Sequence, residues 1–363
     1  MTKDRHHLVS LDVLRGMTVA AMILVNNPGD WNSVFPPLLH SDWNGWTFAD
    51  VVFPFFVFIM GCAMPFAFAR RQAQHGAEWR AAKRVLRRAS LLILLGLLLN
   101  LELAFPHAGA VRIPGVLQRL GLAYLGAALL VRSTSAATQA LVAVALMVGH
   151  WAVMTLVPFG GLPATHVVTR DHNLAGFVDM HVFGSHTLMP GFDPEGLLGT
   201  APTIATALVG ALAGQWLRHH SNHRRQLAGL MLGAVIATIA GLMWSTVWPI
   251  NKPLWTGSYA LLMSGFAAAT LAVCLYIVDI AGIRGWARPF LALGVNPLAI
   301  YFGSEFVGHL LDRGKYWIYW GAFARAFGGF GNEWTSLLYA LAYVACWLAI
   351  AVALDRRHIR IRV

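Results

Sequence analysis

Long apolar stretches alternate with short polar connections along the whole chain. Stretches of about 20 apolar residues have the length that an α-helix needs to cross the hydrocarbon core of a bilayer. The pattern therefore predicts an all-α membrane protein with about ten transmembrane helices. We place the spans near residues 12–28, 47–69, 89–104, 114–131, 139–158, 199–217, 227–248, 256–278, 289–310 and 335–354.

Ten spans and their connections leave no room for a second large domain, so we expect residues 1–363 to form a single transmembrane domain. Two connections, about 159–198 and 311–334, are longer than the others and fall on the predicted outer face. The first contains several His, Asp and Glu residues that a plain linker does not need. Because loops held on a rigid scaffold often carry function, this connection is a candidate part of a site.

The composition agrees with this pattern and excludes several classes of protein. Apolar residues make up 57% of the chain and charged residues only 12%, with a mean hydropathy of +0.59. A soluble globular chain has roughly 25% charged residues, so neither a soluble enzyme nor a nucleic-acid-binding module is expected. The bilayer itself is the expected partner.

The net charge of +11 would suit an anionic partner such as nucleic acid, but the distribution of the charges suggests another cause. Of the 27 Lys and Arg residues, 19 lie on the termini and the connections of one predicted face. The positive-inside rule places that face, and with it both termini, in the cytoplasm. This bias accounts for most of the net charge without nucleic acid.

The three cysteines, Cys62, Cys274 and Cys346, all lie within apolar stretches, and the chain contains no CxxC motif. Neither a zinc site nor a disulfide framework is supported by this pattern. We expect packing roles for the cysteines and no metal in the protein.

The connection between the first two predicted spans contains a group of residues that could carry out acid–base chemistry. Asn26 ends the first apolar run, His40 and Asp42 follow a Pro-rich turn, and Asp50 lies just inside the second span. A histidine beside a carboxylate is a candidate general base, and an asparagine amide can donate a hydrogen bond to an oxyanion. The plainer alternative is a loop histidine in contact with water.

Polar side chains also occur within the predicted spans. Gln118 and Arg119 lie in the fourth span, and Glu305 lies in the outer half of the ninth. Such residues are costly in a membrane and usually face a cavity or one another. They fit both an enzyme and a transporter, so the residues alone leave the two functions open.

Seven motifs together resemble the heparan-α-glucosaminide N-acetyltransferase family, particularly its bacterial members, over nearly the whole chain. They occur in the order SLDVLRGMTVAAMILVNNPGDW, HSDWNGWTFADVVFPFFVFIMG, VRIPGVLQRLGLAY, AGFVDMHVFG, FDPEGLLGT, NKPLWTGSY and NPLAIYFGSE. The resemblance implies a transmembrane enzyme that passes an acetyl group from cytosolic acetyl-CoA to the amine of glucosamine or a related short amino sugar on the periplasmic side. A location in the bacterial inner membrane is implied as well, with a homodimer suggested by family analogy.

The resemblance also implies roles for residues. His40 matches the catalytic histidine of the family, and Asn26 matches the asparagine after the first span. His40 could take the proton of the amine or carry the acetyl group itself, with Asp42 or Asp50 orienting its ring and Asn26 stabilising the tetrahedral oxyanion.

The substrates would be bound by further polar and aromatic side chains. The expected sugar-binding residues are Asp42, Asp179, Asp193, Glu195, Trp255 and Glu305. The expected residues for the acetyl-CoA phosphates and arm are Arg15, Arg88, Gln118 and Arg119.

Two other functions remain open at this stage. A secondary transporter of sugars or amino sugars would also have broken helices and charged residues within spans. An O-acyltransferase of surface polysaccharide would use His40 to activate a hydroxyl group in place of an amine.

Overall fold

A computed structural model describes residues 8–72, 78–104, 111–161, 163–164, 168–314 and 316–361. These residues form 13 α-helices and no strand, apart from one isolated bridge between Met189 and Phe192, so the predicted all-α class is confirmed. The helices are α1 (Val9–Asn26), α2 (Phe48–Gln72), α3 (Glu78–Ala104), α4 (Val116–Ser133), α5 (Ala136–Leu156), α6 (Leu174–Phe183), α7 (Thr200–His219), α8 (His223–Trp244), α9 (Gly257–Cys274), α10 (Arg288–Val295), α11 (Pro297–Arg313), α12 (Ala324–Phe327) and α13 (Asn332–Arg356). Short π-helical and 3-10 segments occupy Leu275–Ile280, Tyr316–Phe323, Pro36–Leu38 and Gly328–Phe330.

Each predicted span coincides with a helix or a pair of helices, but not all of these helices are equally apolar. Among the described residues, α1, α2, α5, α8, α9 with its π-helical extension, and α13 are long and apolar enough to cross a membrane. The pair α10–α11 makes a seventh candidate. Helices α3, α4 and α7 are less apolar or more charged, so the count of about ten and the cytoplasmic termini stay predictions.

The predicted span 289–310 is not one continuous helix. It is divided into α10 and α11, which meet at an angle of 85°. Pro297 lacks the N–H that would continue the helix, and the residue before a proline is disfavoured in the helical region, so the break falls at Asn296. The Asn296 side chain accepts from Ile361 N–H at 2.8 Å and donates to Ile359 O at 2.9 Å, which supplies hydrogen bonds at the break.

The contacts of the chain group into two units. Unit 1 consists of Asp42–Gly45 and Phe53–Val273, with α3 packed on α4 and α7 packed on α4 and α5. Unit 2 consists of Leu8–Ser41, Trp46–Val52 and Cys274–Val363, with α1 packed on α10 and α13. The expected single domain stays a prediction.

Glycines allow two helices of unit 1 to approach closely. A Cβ atom at Gly210 or Gly214 of α7 would collide with the carbonyl oxygens of Phe58 or Cys62 on α2. Gly61 of α2 lies equally close to the backbone of α7. Small residues four positions apart are typical of tightly packed membrane helices, because lipid provides no hydrophobic driving force between them.

The long segment 159–198 is more ordered than a plain loop. It contains α6, whose N-terminus is capped by Asn173 through a hydrogen bond to Gly176 N–H. Leu174 and Phe192 of this segment pack with Trp248 in a small buried apolar cluster of unit 1. This packing holds the polar residues of the segment in defined positions. The other long connection, 311–334, contains the end of α11, a π-helical segment and α12.

The close approach of α2 and α7 gives a matched stability test. Gly210→Ala forces a methyl group against the Phe58 carbonyl, and we expect a loss of about 1–3 kcal/mol, the usual cost of overpacking. Gly233→Ala on α8 adds its methyl group in open space and should be neutral or slightly stabilising. The measurement is thermal unfolding of both variants in the same detergent. Equal unfolding temperatures would contradict the packing role of Gly210.

Candidate functional site

His40 and Asp50 form a hydrogen-bonded pair in unit 2. The proline turn at Pro36–Leu38 leads the chain to His40, and Asp50 lies in the first turn of α2. Nδ1 of His40 is 2.8 Å from Oδ1 of Asp50, and the imidazole is 54% exposed while the carboxylate is fully buried. Of the two carboxylates expected to orient the ring, Asp50 makes this contact.

The backbone around His40 is held by the same carboxylate. Oδ2 of Asp50 accepts hydrogen bonds from the backbone N–H groups of Ser41 and Thr47, each at 3.0 Å. The Thr47 hydroxyl donates to the carbonyl oxygen of Leu39 at 2.5 Å. Asp50 therefore fixes both the imidazole and the turn that carries it, while Thr47 ties the residue before His40 to the start of α2.

The spacing of Thr47 and Asp50 explains why the chain folds this way locally. Thr47 directly precedes α2, and Asp50 is the third residue of the helix. In a capping box, an acidic or amide side chain at this third position reaches back to the N–H of the residue before the helix. A negative charge here is also favoured by the helix dipole. Thr47 was missed in the sequence, although its T-x-x-D spacing with Asp50 was a signal that could have revealed it.

Asn26 and Glu305 form a second polar pair in unit 2. Asn26 is the last residue of α1, and its side-chain amide donates to Oε1 of Glu305 on α11 at 2.9 Å. The neighbouring Asn27 instead donates back to Ile23 O of its own helix. The Asn27 side chain also lies against Gly308 of α11, so what distinguishes Asn26 is its hydrogen bond to Glu305.

A buried ion cluster in unit 1 joins two segments 81 residues apart. The Arg112 guanidinium donates to both carboxylate oxygens of Asp193, through Nε at 2.8 Å and Nη2 at 2.6 Å, and it also contacts Glu195. Burial alone would raise the pKa of Glu195, but the charges of Arg112, Arg119 and Lys252 and the hydrogen bond from Arg112 together outweigh burial and lower the pKa. Arg112 was not predicted as a site residue, because nothing in the local sequence links it to Asp193.

Gln118 and Arg119 lie in the first turn of α4 and are enclosed by the protein. Gln118 donates to Ile113 O at 3.0 Å, and Arg119 donates through Nη2 to Gly196 O at 2.8 Å. The guanidinium carbon of Arg119 lies 5.6 Å from the ring centroid of Trp255, which is itself fully buried. These contacts tie α4 to the segment that contains Asp193 and Glu195.

Asp179 and His150 are buried in the same unit. Asp179 on α6 has no exposed surface, and its Oδ1 accepts the N–H of Leu197 at 2.9 Å. His150 on α5 is 6% exposed and was not considered in the sequence, where a lone histidine in an apolar helix carries no distinguishing signal.

The remaining predicted residues make other contacts. Asp42 is exposed, and its carbonyl oxygen accepts from Arg170. Arg15 pairs with Asp12 one turn earlier at 2.6 Å, and the exposed Arg88 lies over the ring of Tyr124 at 4.7 Å.

The described residues contain no group of three His, Cys, Asp or Glu side chains placed to hold a metal ion. All three cysteines are free, with Cys62 and Cys274 buried and Cys346 exposed.

The ion cluster of unit 1 generates a stability prediction. Arg112→Gln leaves Asp193 and Glu195 buried without their counter-charge, and we expect a loss of about 3–5 kcal/mol near neutral pH. The pKa of Glu195 is lowered in the wild type by Arg112, so this carboxylate stabilises the fold while it is charged. The loss in Arg112→Gln should shrink in acid, because a protonated Glu195 no longer needs the guanidinium.

The measurement is thermal unfolding as a function of pH, with Arg170→Gln as the exposed control. A wild-type unfolding temperature for Arg112→Gln at neutral pH would contradict the role of the cluster.

Comparison with known proteins identifies the family of this chain. A family model described as "Heparan-alpha-glucosaminide N-acetyltransferase, catalytic" matches residues 7–245. The human protein named heparan-alpha-glucosaminide N-acetyltransferase is 28% identical over 353 residues, which cover 82% of this chain and 52% of the human protein. Its mouse counterpart is 28% identical over 357 residues, covering 83% of this chain and 53% of the mouse protein.

The chain thus spans about half the length of these curated relatives. The matched region includes Asn26, the His40–Asp50 pair and the ion cluster of unit 1. With its apolar helices, this match shows a multi-pass membrane protein that belongs to the heparan-alpha-glucosaminide N-acetyltransferase catalytic family.

Proposed function

We propose that this protein transfers an acetyl group from acetyl-CoA to the amine of glucosamine or a related short amino sugar. The observation that carries the proposal is the exposed His40 imidazole held by the fully buried Asp50 carboxylate. This pair lies within the region matched by the N-acetyltransferase family. An exposed ring can meet an incoming substrate, while its buried partner keeps it in one orientation.

His40 acts as the general base in this proposal. Because Nδ1 faces Asp50, Nε2 is the nitrogen that takes a proton from the sugar ammonium group. The free amine then attacks the carbonyl carbon of the thioester, and the nitrogen of the tetrahedral intermediate loses its second proton to water. The C–S bond breaks, and the CoA sulfur leaves with the proton held by the imidazolium, so that the amide and the CoA thiol are the products. Asp50 stabilises the positive charge that His40 carries between these two steps.

Asn26 supplies a hydrogen-bond donor for the oxyanion of the tetrahedral intermediate. A side-chain amide has two N–H donors, and Asn26 uses one of them to hold Glu305. The bond to Glu305 fixes the orientation of the amide, which is what electrostatic stabilisation of an oxyanion requires. Glu305 thereby acts on the reaction through Asn26.

The acetyl-CoA phosphates would be bound from the cytoplasmic side of a bacterial inner membrane. Arg15 and the exposed Arg88 are the candidates, since guanidinium groups form strong paired hydrogen bonds with phosphate. Arg15 would have to share its guanidinium with Asp12. Gln118 and Arg119 are enclosed in unit 1, and we do not include them in the donor site.

The test is acetyl transfer by the full chain in lipid nanodiscs, with radiolabelled acetyl-CoA and glucosamine. We expect His40→Gln to slow transfer about 100- to 10,000-fold, the usual contribution of a general base, while binding acetyl-CoA like the wild type. His172→Gln, which changes an exposed histidine of the long segment, should retain full activity.

Three results would contradict the proposal or part of it. Undiminished transfer by His40→Gln would remove His40 from the mechanism. A wild-type protein that moves glucosamine across the membrane of sealed liposomes without acetylating it would favour a transporter. Labelled acetate that stays on His40 before glucosamine is added would replace the general-base route with an acetyl-histidine intermediate.

A further inference from the structure

Several side chains of unit 1, Arg84 and Trp248 among them, have buried polar atoms that lack a hydrogen-bond partner in the described part of the chain. Three others could bind a polar ligand through such atoms: Oδ2 of Asp179, Nε and Nη1 of Arg119, and both ring nitrogens of His150. Asp179 is fully buried, Arg119 is 2% exposed and His150 is 6% exposed. Buried polar groups are nearly always paired, so unpaired ones call for an explanation.

The groups of Asp179 and Arg119 meet at one short turn. Arg119 donates to the carbonyl oxygen of Gly196, and a Cβ atom at Gly196 would collide with the unpaired Oδ2 of Asp179. A Cβ atom at Gly199 would in turn lie against Arg119. The two side chains thus face the same glycine-containing turn, yet they form no ion pair with each other.

The neighbouring charged residues do not supply hydrogen-bond partners for the unpaired atoms. Asp193 and Glu195 are both bound by Arg112, and Lys252 acts on Glu195 as well. Among these three carboxylates, Asp179 is therefore the one with an oxygen, Oδ2, that has no hydrogen-bond partner in the described residues. The charge of Arg119 acts on His150, but His150 forms no hydrogen bond with Arg119 or Asp179.

We propose that Asp179, Arg119 and His150 form an amino-sugar-binding site within unit 1, a site that is separate from the catalytic pair and holds the sugar before its amine reaches His40. Asp179 holds the ammonium group, and Arg119 and His150 hold hydroxyl groups. The inference rests on the proposed function for its ligand class. A hexosamine offers one cation for the spare carboxylate oxygen and several hydroxyls, which both donate and accept. The unpaired atoms comprise an acceptor, guanidinium donors and an imidazole that provides one of each.

The positions of the three residues suit a ligand that arrives from the outer face. Arg119 lies about 5 Å from the start of α4, and His150 about 9 Å from the end of α5, counting 1.5 Å per residue. Both of these helix ends lead into outer connections in the predicted topology. The turn at 193–199 lies against the groups and is held by Arg112 through Asp193 and Glu195, so binding in this site requires the sugar to displace the turn.

Trp255 has a supporting role in this site. We expected it to stack on the sugar, but the ring is fully buried between Phe53, Tyr259 and the Arg119 guanidinium. Its contact with Arg119 holds the guanidinium in place, and its Nε1 donates to Thr206 at 3.1 Å.

Titration of Asp179 gives the binding a pH dependence. Burial raises the pKa of Asp179 to about 6, the charge of Asp193 adds to this effect, and the Leu197 N–H and Arg119 oppose it. The carboxylate is charged above this pKa and neutral below it. Glucosamine affinity should therefore fall as the pH drops through about 6.

The experiment is equilibrium binding of radiolabelled glucosamine to the full chain in nanodiscs, without acetyl-CoA. We expect Asp179→Asn to weaken binding at pH 7.5 by about tenfold or more, the usual effect of losing a hydrogen bond to a charged group. The unfolding temperature should not fall, because asparagine keeps the acceptor for Leu197 and removes a buried charge. The exposed Asp171→Asn is the matched control and should bind like the wild type.

A second variant covers the case in which Asp179→Asn does not fold. His150→Leu removes two unpaired nitrogens, so it should raise the unfolding temperature while weakening both glucosamine and N-acetylglucosamine binding several-fold. Wild-type affinity in a folded Asp179→Asn or His150→Leu variant would overturn the proposal and assign the unpaired atoms to buried water.

The same experiment separates this inference from the proposed function. His40→Gln should bind glucosamine normally and fail to acetylate it. If the wild type transfers acetyl groups and Asp179→Asn binds glucosamine as tightly as the wild type, the binding site would be overturned and the proposed function would stand. Binding that depends on Asp179 in a protein without transferase activity would support the site and overturn the proposed function alone.

Discussion

Lipid offers no hydrogen bonds, so the polar groups among the helices of this protein depend on partners within the chain. Asp50 illustrates the result: its carboxylate is fully buried, and its two oxygens accept from His40, Ser41 and Thr47. The requirement to satisfy one charge thereby organises the whole turn before α2. Arg112, which lies just before α4, has a similar effect in unit 1: its guanidinium connects this part of the chain to the segment that contains Asp193.

This requirement also distinguishes polar groups whose hydrogen bonds are satisfied within the chain from buried polar groups that lack a partner. The His40–Asp50 and Asn26–Glu305 pairs are satisfied, and each orients a group with a chemical use. Asp179 retains an unpaired oxygen in a fully buried position. We therefore propose that the paired groups serve chemistry and that Asp179 serves binding.

Much of the fold was predictable from the sequence, because lipid-spanning helices need long apolar runs. The break at Asn296 was not, since prolines also occur inside the continuous helix α2. For the site, the sequence left two carboxylates, Asp42 and Asp50, as candidate partners of His40. The position of Asp50 in the first turn of α2 explains why Asp50 is the partner. The pairing of Arg112 with Asp193 was not predictable, because it joins residues 81 positions apart without a local pattern.

The most direct test concerns the coupling between His40 and Asp50. Acetyl transfer to glucosamine would be measured for the wild type, His40→Gln, Asp50→Asn and the double variant. If Asp50 acts through the imidazole, the double variant should be no slower than His40→Gln alone, because residues that act as a unit show non-additive losses. Losses that multiply in the double variant would show two independent roles and contradict the pairing as the basis of catalysis.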